Sequence, residues 1–216
     1  MAEQTDASSH VAVVLRTQDR PVFLRRALTD VLAQTFTNYS LVIVNDAGDL
    51  GLVRQIVAEL VDDAATEVKI EHNEKSKGRE AAMNTGVLAS KSAFIAIHDD
   101  DDTWAPTFLE RTVSYLQGSD DLAVAARTEL VYERFDGDTI TIDRRDVFAA
   151  DKSAITLGEL LRRNYAPPIS LLYRRVAHDE VGLYDETLPV LADWDFVLRM
   201  SMHGEIGFLD GEPLAF

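Results

Sequence analysis

Val11-Ala12-Val13-Val14-Leu15 is an unbroken apolar run, rich in valine, of the kind a strand shows when both of its faces are buried. After it Pro21 stands at a first helical position, and Leu24, Ala27, Leu28, Val31 and Leu32 repeat at i, i+3, i+4, i+7 and i+8, which is one face of a helix. The pair of signals recurs down the chain. Leu41 to Val44 reads as a second buried strand, and Val53, Ile56, Val57, Leu60 and Val61 as the helix after it. Val68 to Glu71 reads as a third strand, and Gly78 to Leu88 as a helix whose Gly78, Ala82 and Gly86 make a smooth face for close packing. Ala93 to Ile97 is a fourth strand. Repeated βα units of this kind predict an α/β fold built on a doubly wound, mostly parallel central sheet.

The second half differs. Leu122 to Arg134 and Thr139 to Asp143 flank the turn signal Asp136-Gly137-Asp138, which predicts a small antiparallel hairpin. A helix follows from about Thr156 to Arg163, then a strand at Ile169 to Tyr173 and a helix from about Ala192 to His203. The polar residues 1–10 read as a disordered lead-in, and residues 11–216 as a single domain. Its halves are expected over about 11–106 and about 107–216. The apolar ending Pro213-Leu214-Ala215-Phe216 reads as a cut through a longer polypeptide.

Composition narrows the function. The 216 residues carry 37 Asp and Glu against 21 Lys and Arg, a net charge of −16, which argues against a nucleic-acid partner because phosphate contacts need clustered cations. Cysteine is absent, which excludes thiol catalysis, disulfides and Cys-ligated metals. No apolar run reaches the roughly 18–20 residues of a membrane span, and Met1 to His10 holds no Lys or Arg, which a signal peptide would need. The expected location is the cytoplasm, including the inner face of the membrane, with any membrane association peripheral and through regions outside this chain.

The chemistry centres on Asp99-Asp100-Asp101-Asp102-Thr103-Trp104-Ala105-Pro106, directly after the fourth strand. Adjacent carboxylates repel, and the C-terminal end of a buried parallel strand is where open α/β sheets bind ligands. A divalent cation shared with phosphate oxygens offsets that repulsion. A calcium loop fails the spacing, because Trp104 stands where glycine is required and Pro106 follows. A haloacid-dehalogenase-type phosphatase remains open: Asp99, Asp101 and Thr103 match strand–Asp-x-Asp-x-Thr, with Asp99 as nucleophile and Asp101 as general acid. Against it, three βα units precede the motif.

The same loop resembles the Asp-x-Asp-Asp-x-Trp-x-Pro signature of family 2 glycosyltransferases of the GT-A fold, matched by Asp99, Asp101, Asp102, Trp104 and Pro106. Val13 to Pro21 looks like that family's first strand and nucleotide loop, and Val42 to Gly48 like its second strand and acidic turn. Gly78, Ala82, Asn84 and Gly86 follow its third-helix pattern, and Ala192-Asp193-Trp194-Asp195 its late acidic motif. Ser76 and Met83 depart from it, where asparagine and arginine are common.

The resemblance implies an inverting transferase that uses Mn²⁺ or Mg²⁺, a nucleotide-diphosphate sugar donor and a saccharide or lipid-linked acceptor. It also implies that about 11–106 is the nucleotide-binding half and about 107–216 the acceptor-side half. The process implied is polysaccharide, glycolipid or antigen assembly. UDP-sugar is the expected donor and dTDP-sugar fits the same edge, since Asp46 would accept an N3–H; an Asx turn is the plainer reading of Asp46. Thr17, Asp19 and Arg20 would line the base pocket, although Thr17 and Asp19 serve equally as strand end and helix cap. Arg79 would grip the diphosphate, while Lys75 and Lys77 read as solvated. Asp101, with Asp99, would hold the metal, Asp99 also reaching the ribose or sugar, and Asp100 would shape the donor site. Asp193 would be the base, with Asp195 the fallback because Arg199 at i+4 pairs with it. Trp194, Val197 and Leu198 are expected as the inward stripe of that helix, and neither His98 nor His203 is assigned a role. A non-catalytic sugar-nucleotide-binding module of a larger enzyme is a further alternative.

Overall fold

The computed structural model describes residues 10–61 and 66–216. The chain alternates β1 (Val11–Thr17), α1 (Pro21–Leu32), β2 (Tyr39–Asp46), α2 (Leu50–Leu60), β3 (Glu67–Asn73), α3 (Arg79–Ala89), β4 (Phe94–Asp99) and α4 (Phe108–Gln117). It continues through β5 (Ala123–Ala126), β6 (Glu129–Asp136), β7 (Thr139–Val147), α5 (Leu157–Leu160), β8 (Leu171–Arg174), α6 (Ala177–Val181), α7 (Ala192–Ser201) and β9 (Ile206–Leu209). One sheet runs β3-β2-β1-β4-β8-β5-β9, and β6 and β7 form a separate hairpin. The first four of these strands are parallel; β8 lies antiparallel to both β4 and β5, and β9 parallel to β5.

Both faces of the sheet are covered, which is why β1 carries no polar alternation. Val11, Val13 and Leu15 pack with Leu24, Leu28, Ile56, Phe108 and Leu116 on one face. Val14, Val42, Ile95 and Ile97 pack with Met83, Tyr173, Phe196 and Met200 on the other. The small-residue face of α3 is borne out at Gly86, where a Cβ would stand 2.2 Å from Val14 Cγ1 of β1, but not at Gly78, which precedes the helix and touches nothing closely. The helix can therefore seat directly on the sheet.

Several expectations need correction. The lead-in falls on residues 1–9, outside the described residues, but His10 is already engaged, its Nδ1 lying 3.0 Å from Asn38 Oδ1. The single strand expected over Leu122 to Arg134 is two strands in different sheets. Arg127 and Thr128 part them, the buried Arg127 guanidinium donating to the carbonyls of Asp210, Ala149 and Lys152. The strand expected from Ile169 starts at Leu171, because Pro168–Ser170 forms a 3₁₀ turn. On α7 the buried face is Ala192, Phe196, Val197 and Met200; Trp194 is half-buried, its indole N–H donating to Leu160 O at 2.7 Å. The helices expected over Thr156 to Arg163 and to His203 stop earlier, at Leu160 and Ser201. α4, α6 and β9 were not foreseen.

The apolar segment Pro213–Phe216 is strapped to the acidic loop. Thr103 and Phe216 exchange both backbone hydrogen bonds at 2.9 Å, and Ala105 N–H donates to Leu214 O at 2.9 Å. Leu214 and Ala215 are buried.

Replacing Gly86 with valine should cost about 1–3 kcal/mol, because overpacking against Val14 outweighs the gain in helix propensity. Urea denaturation of the variant beside the wild type measures this, and an unchanged midpoint would mean that α3 can move off the sheet freely.

Candidate functional site

The strand order places the topological switch between β1 and β4. From β1 the chain proceeds outward to β2 and β3, then crosses to the other side of β1 to enter β4. The carboxyl ends of β1 and β4 therefore border the crevice in which such sheets bind ligands. Arg16 near the end of β1 and Asp99 at the end of β4 are register partners there.

Around that point arginines surround the acidic loop. Arg16 Nε and Nη2 donate to the two carboxylate oxygens of Asp99, a bidentate pair with the Nη2 contact at 2.6 Å. Arg20 reaches Asp100 at 3.2 Å and Asp101 at 2.6 Å. Arg26 donates to the backbone carbonyl of Asp101 and to Glu133 of the hairpin, each at 2.5 Å. Asp100 is buried and accepts from the Thr17 hydroxyl at 2.7 Å; burial pushes its carboxyl up to about 6, with the Thr17 bond and Arg20 pulling the other way. Burial, with the charges of Asp99 and Asp101, pushes Asp102 well above the ordinary carboxylate range.

The loop is anchored by Trp104. Its ring stacks on Phe108 at 4.3 Å, its indole N–H donates to Ile169 O at 2.7 Å, and His98 meets its face edge-on at 4.5 Å. His98 is fully buried, which pushes its imidazole down to about 4 and leaves it neutral.

Asp46 ends β2 facing the loop between β3 and α3. It accepts from Asn73 Nδ2 at 2.8 Å, Ser76 Oγ at 2.6 Å and the backbone N–H groups of Lys77 and Gly78 at 3.0 and 3.1 Å. Burial raises its pKa, but these bonds outweigh that and hold the carboxyl below its ordinary value. Gly78 adopts φ +93 there, a backbone that glycine tolerates. Ser76, a departure from the family pattern, is thus one of the groups that fasten Asp46.

Two cavities meet at the switch point. One, of about 340 Å³, is bordered by Thr17, Arg20, Asp46, Ser76 and Asp100. The other, of about 430 Å³, is bordered by Asp102, Asp193, Leu130, Tyr132, Pro167 and Pro168. Arg16, Arg79, Asp99 and Asp101 line both. Asp193, in the first turn of α7, accepts from Asn164 Nδ2 at 3.1 Å. Asp195 lines neither cavity and is held by Arg199, with Nε and Nη2 both 2.8 Å from its carboxylate.

The structure thus brings Thr17, Arg20, Asp46, Arg79, Asp99, Asp100, Asp101 and Asp193 to one place. Asp19 is not among them: its carboxylate accepts from the Asp49 N–H at 2.9 Å and braces the start of α2. Sequence reasoning missed Arg16, Arg26 and Asn164. Arg16 had a signal, since a charge at the end of an otherwise apolar, doubly buried strand needs a counter-charge. Arg26 and Asn164 had none.

Residues 12–180 match glycosyl transferase family 2. The chain belongs to that family. This family 2 chain is 30% identical over 194 residues to the glycosyltransferase YwdF of Bacillus subtilis (strain 168), covering 88% of the chain and 68% of the relative. It is 30% identical over 211 residues to the glycosyltransferase alr2836 of Nostoc sp., covering 95% of the chain and 63% of the relative. Its fold matches S. aureus TarS 1–349 in complex with UDP with a TM-score of 0.74 at 15% identity, over 95% of this chain and 59% of that one. It also matches the mannosyltransferase PcManGT of Pyrobaculum calidifontis in complex with GDP-Man and Mn²⁺, at 0.68 and 16% over 94% and 54%. The fold is GT-A. Family membership displaces the phosphatase reading, and the geometry gives a reason: both oxygens of Asp99, its would-be nucleophile, are engaged by Arg16. Among the described residues no helix is long and apolar enough to cross a membrane.

Asp30 of α1 accepts from the Trp104 backbone N–H beneath the loop. Burial, partly offset by Arg26 and that bond, pushes its carboxyl up to about 6. A carboxyl raised in the folded state binds its proton more tightly folded than unfolded. Its contribution is therefore fully present below about pH 4 and is lost as the pH rises through 6. Asp30→Asn should be more stable than wild type by about 1–2 kcal/mol at pH 7 and equal to it at pH 4. Denaturation curves at the two pH values test this; equal stability at pH 7 would mean that Asp30 is better solvated than its surroundings imply.

Proposed function

We propose that this chain carries the donor site and the base of an inverting, metal-dependent glycosyltransferase that moves a sugar from a nucleoside diphosphate to an acceptor hydroxyl. The observation that carries the reading is the pair of adjoining cavities, Asp46 and Asp100 on one, Asp193 on the other, and the head of the acidic loop on both. Nucleotide in the smaller cavity and acceptor in the larger would meet along their shared border. Crystals of TarS with UDP and UDP-GlcNAc and of PcManGT with GDP-Man lend support to a nucleotide-sugar donor.

A divalent cation fits the acidic loop. Asp99, Asp101 and Asp102 offer oxygens all within 4.8 Å of one another. Asp101 would hold the ion, with Asp99 and Asp102 in reach of it. When bound, Mn²⁺ or Mg²⁺ supplies the positive charge that stabilises a departing diphosphate.

The chain's own residues would do the rest. Asp193 would take the proton of the acceptor hydroxyl as the oxygen attacks the anomeric carbon, with Asn164 holding the carboxylate in place. A carboxylate base and direct displacement from the opposite side invert that carbon. In the smaller cavity Asp46 would accept a base N3–H once the Ser76 hydroxyl turns away; a UDP-sugar is the favoured donor, and dTDP presents the same edge. Arg79 and Arg20 would meet the diphosphate, Arg20 by releasing Asp101. The acceptor would be a saccharide or lipid-linked sugar, and the process polysaccharide, glycolipid or antigen assembly, at the cytoplasmic side.

Calorimetric titration of UDP, dTDP and GDP, each with and without Mn²⁺, should show metal-dependent binding of one uracil-like nucleotide and its loss in Asp101→Ala. Asp193→Asn should keep that binding and lower the rate of transfer by roughly 100-fold or more. Transfer at a normal rate in Asp193→Asn would remove the base assignment. Nucleotide binding with no transfer by the wild type to any saccharide acceptor would favour a binding module instead.

A further inference from the structure

We propose that Arg16 is a donor-binding residue whose unpaired guanidinium end hydrogen bonds the terminal phosphate of the nucleoside diphosphate, while its other edge holds Asp99. The inference rests on the donor reading above and adds a residue that no sequence motif assigned. A guanidinium is a planar fork of five donors. In Arg16, Nε and one side of Nη2 are taken by Asp99. Nη1 has no partner and is buried, in a side chain only 10% exposed. An unpaired buried donor on a charged group is costly, and native structures rarely keep one without a reason.

Its position supplies the reason. Arg16 borders both cavities, and of the four residues that do so only Arg16 and Arg79 are cationic. The nucleoside side carries Thr17, Asp46 and Asp100, and the acceptor side carries Asp193. Between them must lie the phosphate next to the bond that breaks. Arg79 is an exposed residue at the start of α3, whereas Arg16 is fixed on a strand by a bidentate ion pair. A donor held in that way needs no reorganisation when charge develops on the leaving group. The same pair occupies both oxygens of Asp99, which leaves Asp101 and Asp102 as the freer ligands for a cation.

The test compares UDP with UMP, which lacks the terminal phosphate, in calorimetric titrations of the full chain with Mn²⁺. Arg16→Lys keeps a positive charge beside Asp99 but has no fork. It should weaken UDP by roughly 10- to 100-fold and leave UMP within about twofold. An equal loss for both nucleotides would show that Arg16 only shapes the loop, and unchanged UDP binding would show no contact; either overturns the proposal. Circular dichroism checks that the variant is folded. If it is not, the double variant Arg16→Gln with Asp99→Asn is compared with Asp99→Asn alone, so that any loss of metal is common to both, and the two are read by the same UDP-to-UMP ratio. Wild-type protein that binds neither UDP, dTDP nor GDP would remove the donor reading and this inference with it. Wild-type binding with an unaltered ratio in the variant would remove this inference alone.

Discussion

Four consecutive carboxylates at the carboxyl end of a buried strand are a concentration of negative charge that the rest of the molecule has to accommodate. Each neighbouring element contributes to the solution. The end of β1 gives Arg16 and Thr17, the loop after it Arg20, and α1 gives Arg26. Burial works against the charge as well, and it pushes Asp100 and Asp102 above the ordinary carboxylate range. Arginine contacts and burial together are what let four adjacent carboxylates stand at one strand end.

Rigid support makes that arrangement possible. Trp104 seats the loop on Phe108 and Ile169, the segment Pro213–Phe216 pairs with its backbone, and Asp30 holds it from below. The antiparallel strand β8 matters for the other half of the site. It sits beside β4 and carries the sheet across to β5 and β9, and α7 packs on this part through Phe196 and Met200. That packing delivers Asp193 to the wall of the larger cavity, far in sequence from the loop it faces.

The early βα units were legible because burial on both faces leaves an unmistakable mark. Continuous apolar strands read correctly for β1, β2 and β4 and one apolar stripe for α1 and α2, while the half-exposed edge strand β3 and the small-residue helix α3 left a fainter signal. The second half was harder for a physical reason. β5 and β9 are four residues each, too short for a period to declare itself, and the break at Arg127 depends on carbonyls from residues 149, 152 and 210. Trp194 looked like core by spacing, yet the neighbour it meets is the carbonyl of Leu160, which half-exposes the ring.

By itself the sequence determined the α/β class, the place of the acidic loop after the fourth strand and the order of the motifs, because these follow from local periodicity and from residues adjacent in the chain. Only the tertiary structure decided which carboxylates are free. Asp46 is enclosed by four donors from the end of β3 and the loop after it, Asp19 is drawn away to α2, Asp195 is taken by Arg199, and Asp99 is taken by Arg16 across the switch point. An Asp reads alike in every case along the chain. What it can do depends on the donors and charges that folding brings within about 3 Å of it, and most of those come from distant residues.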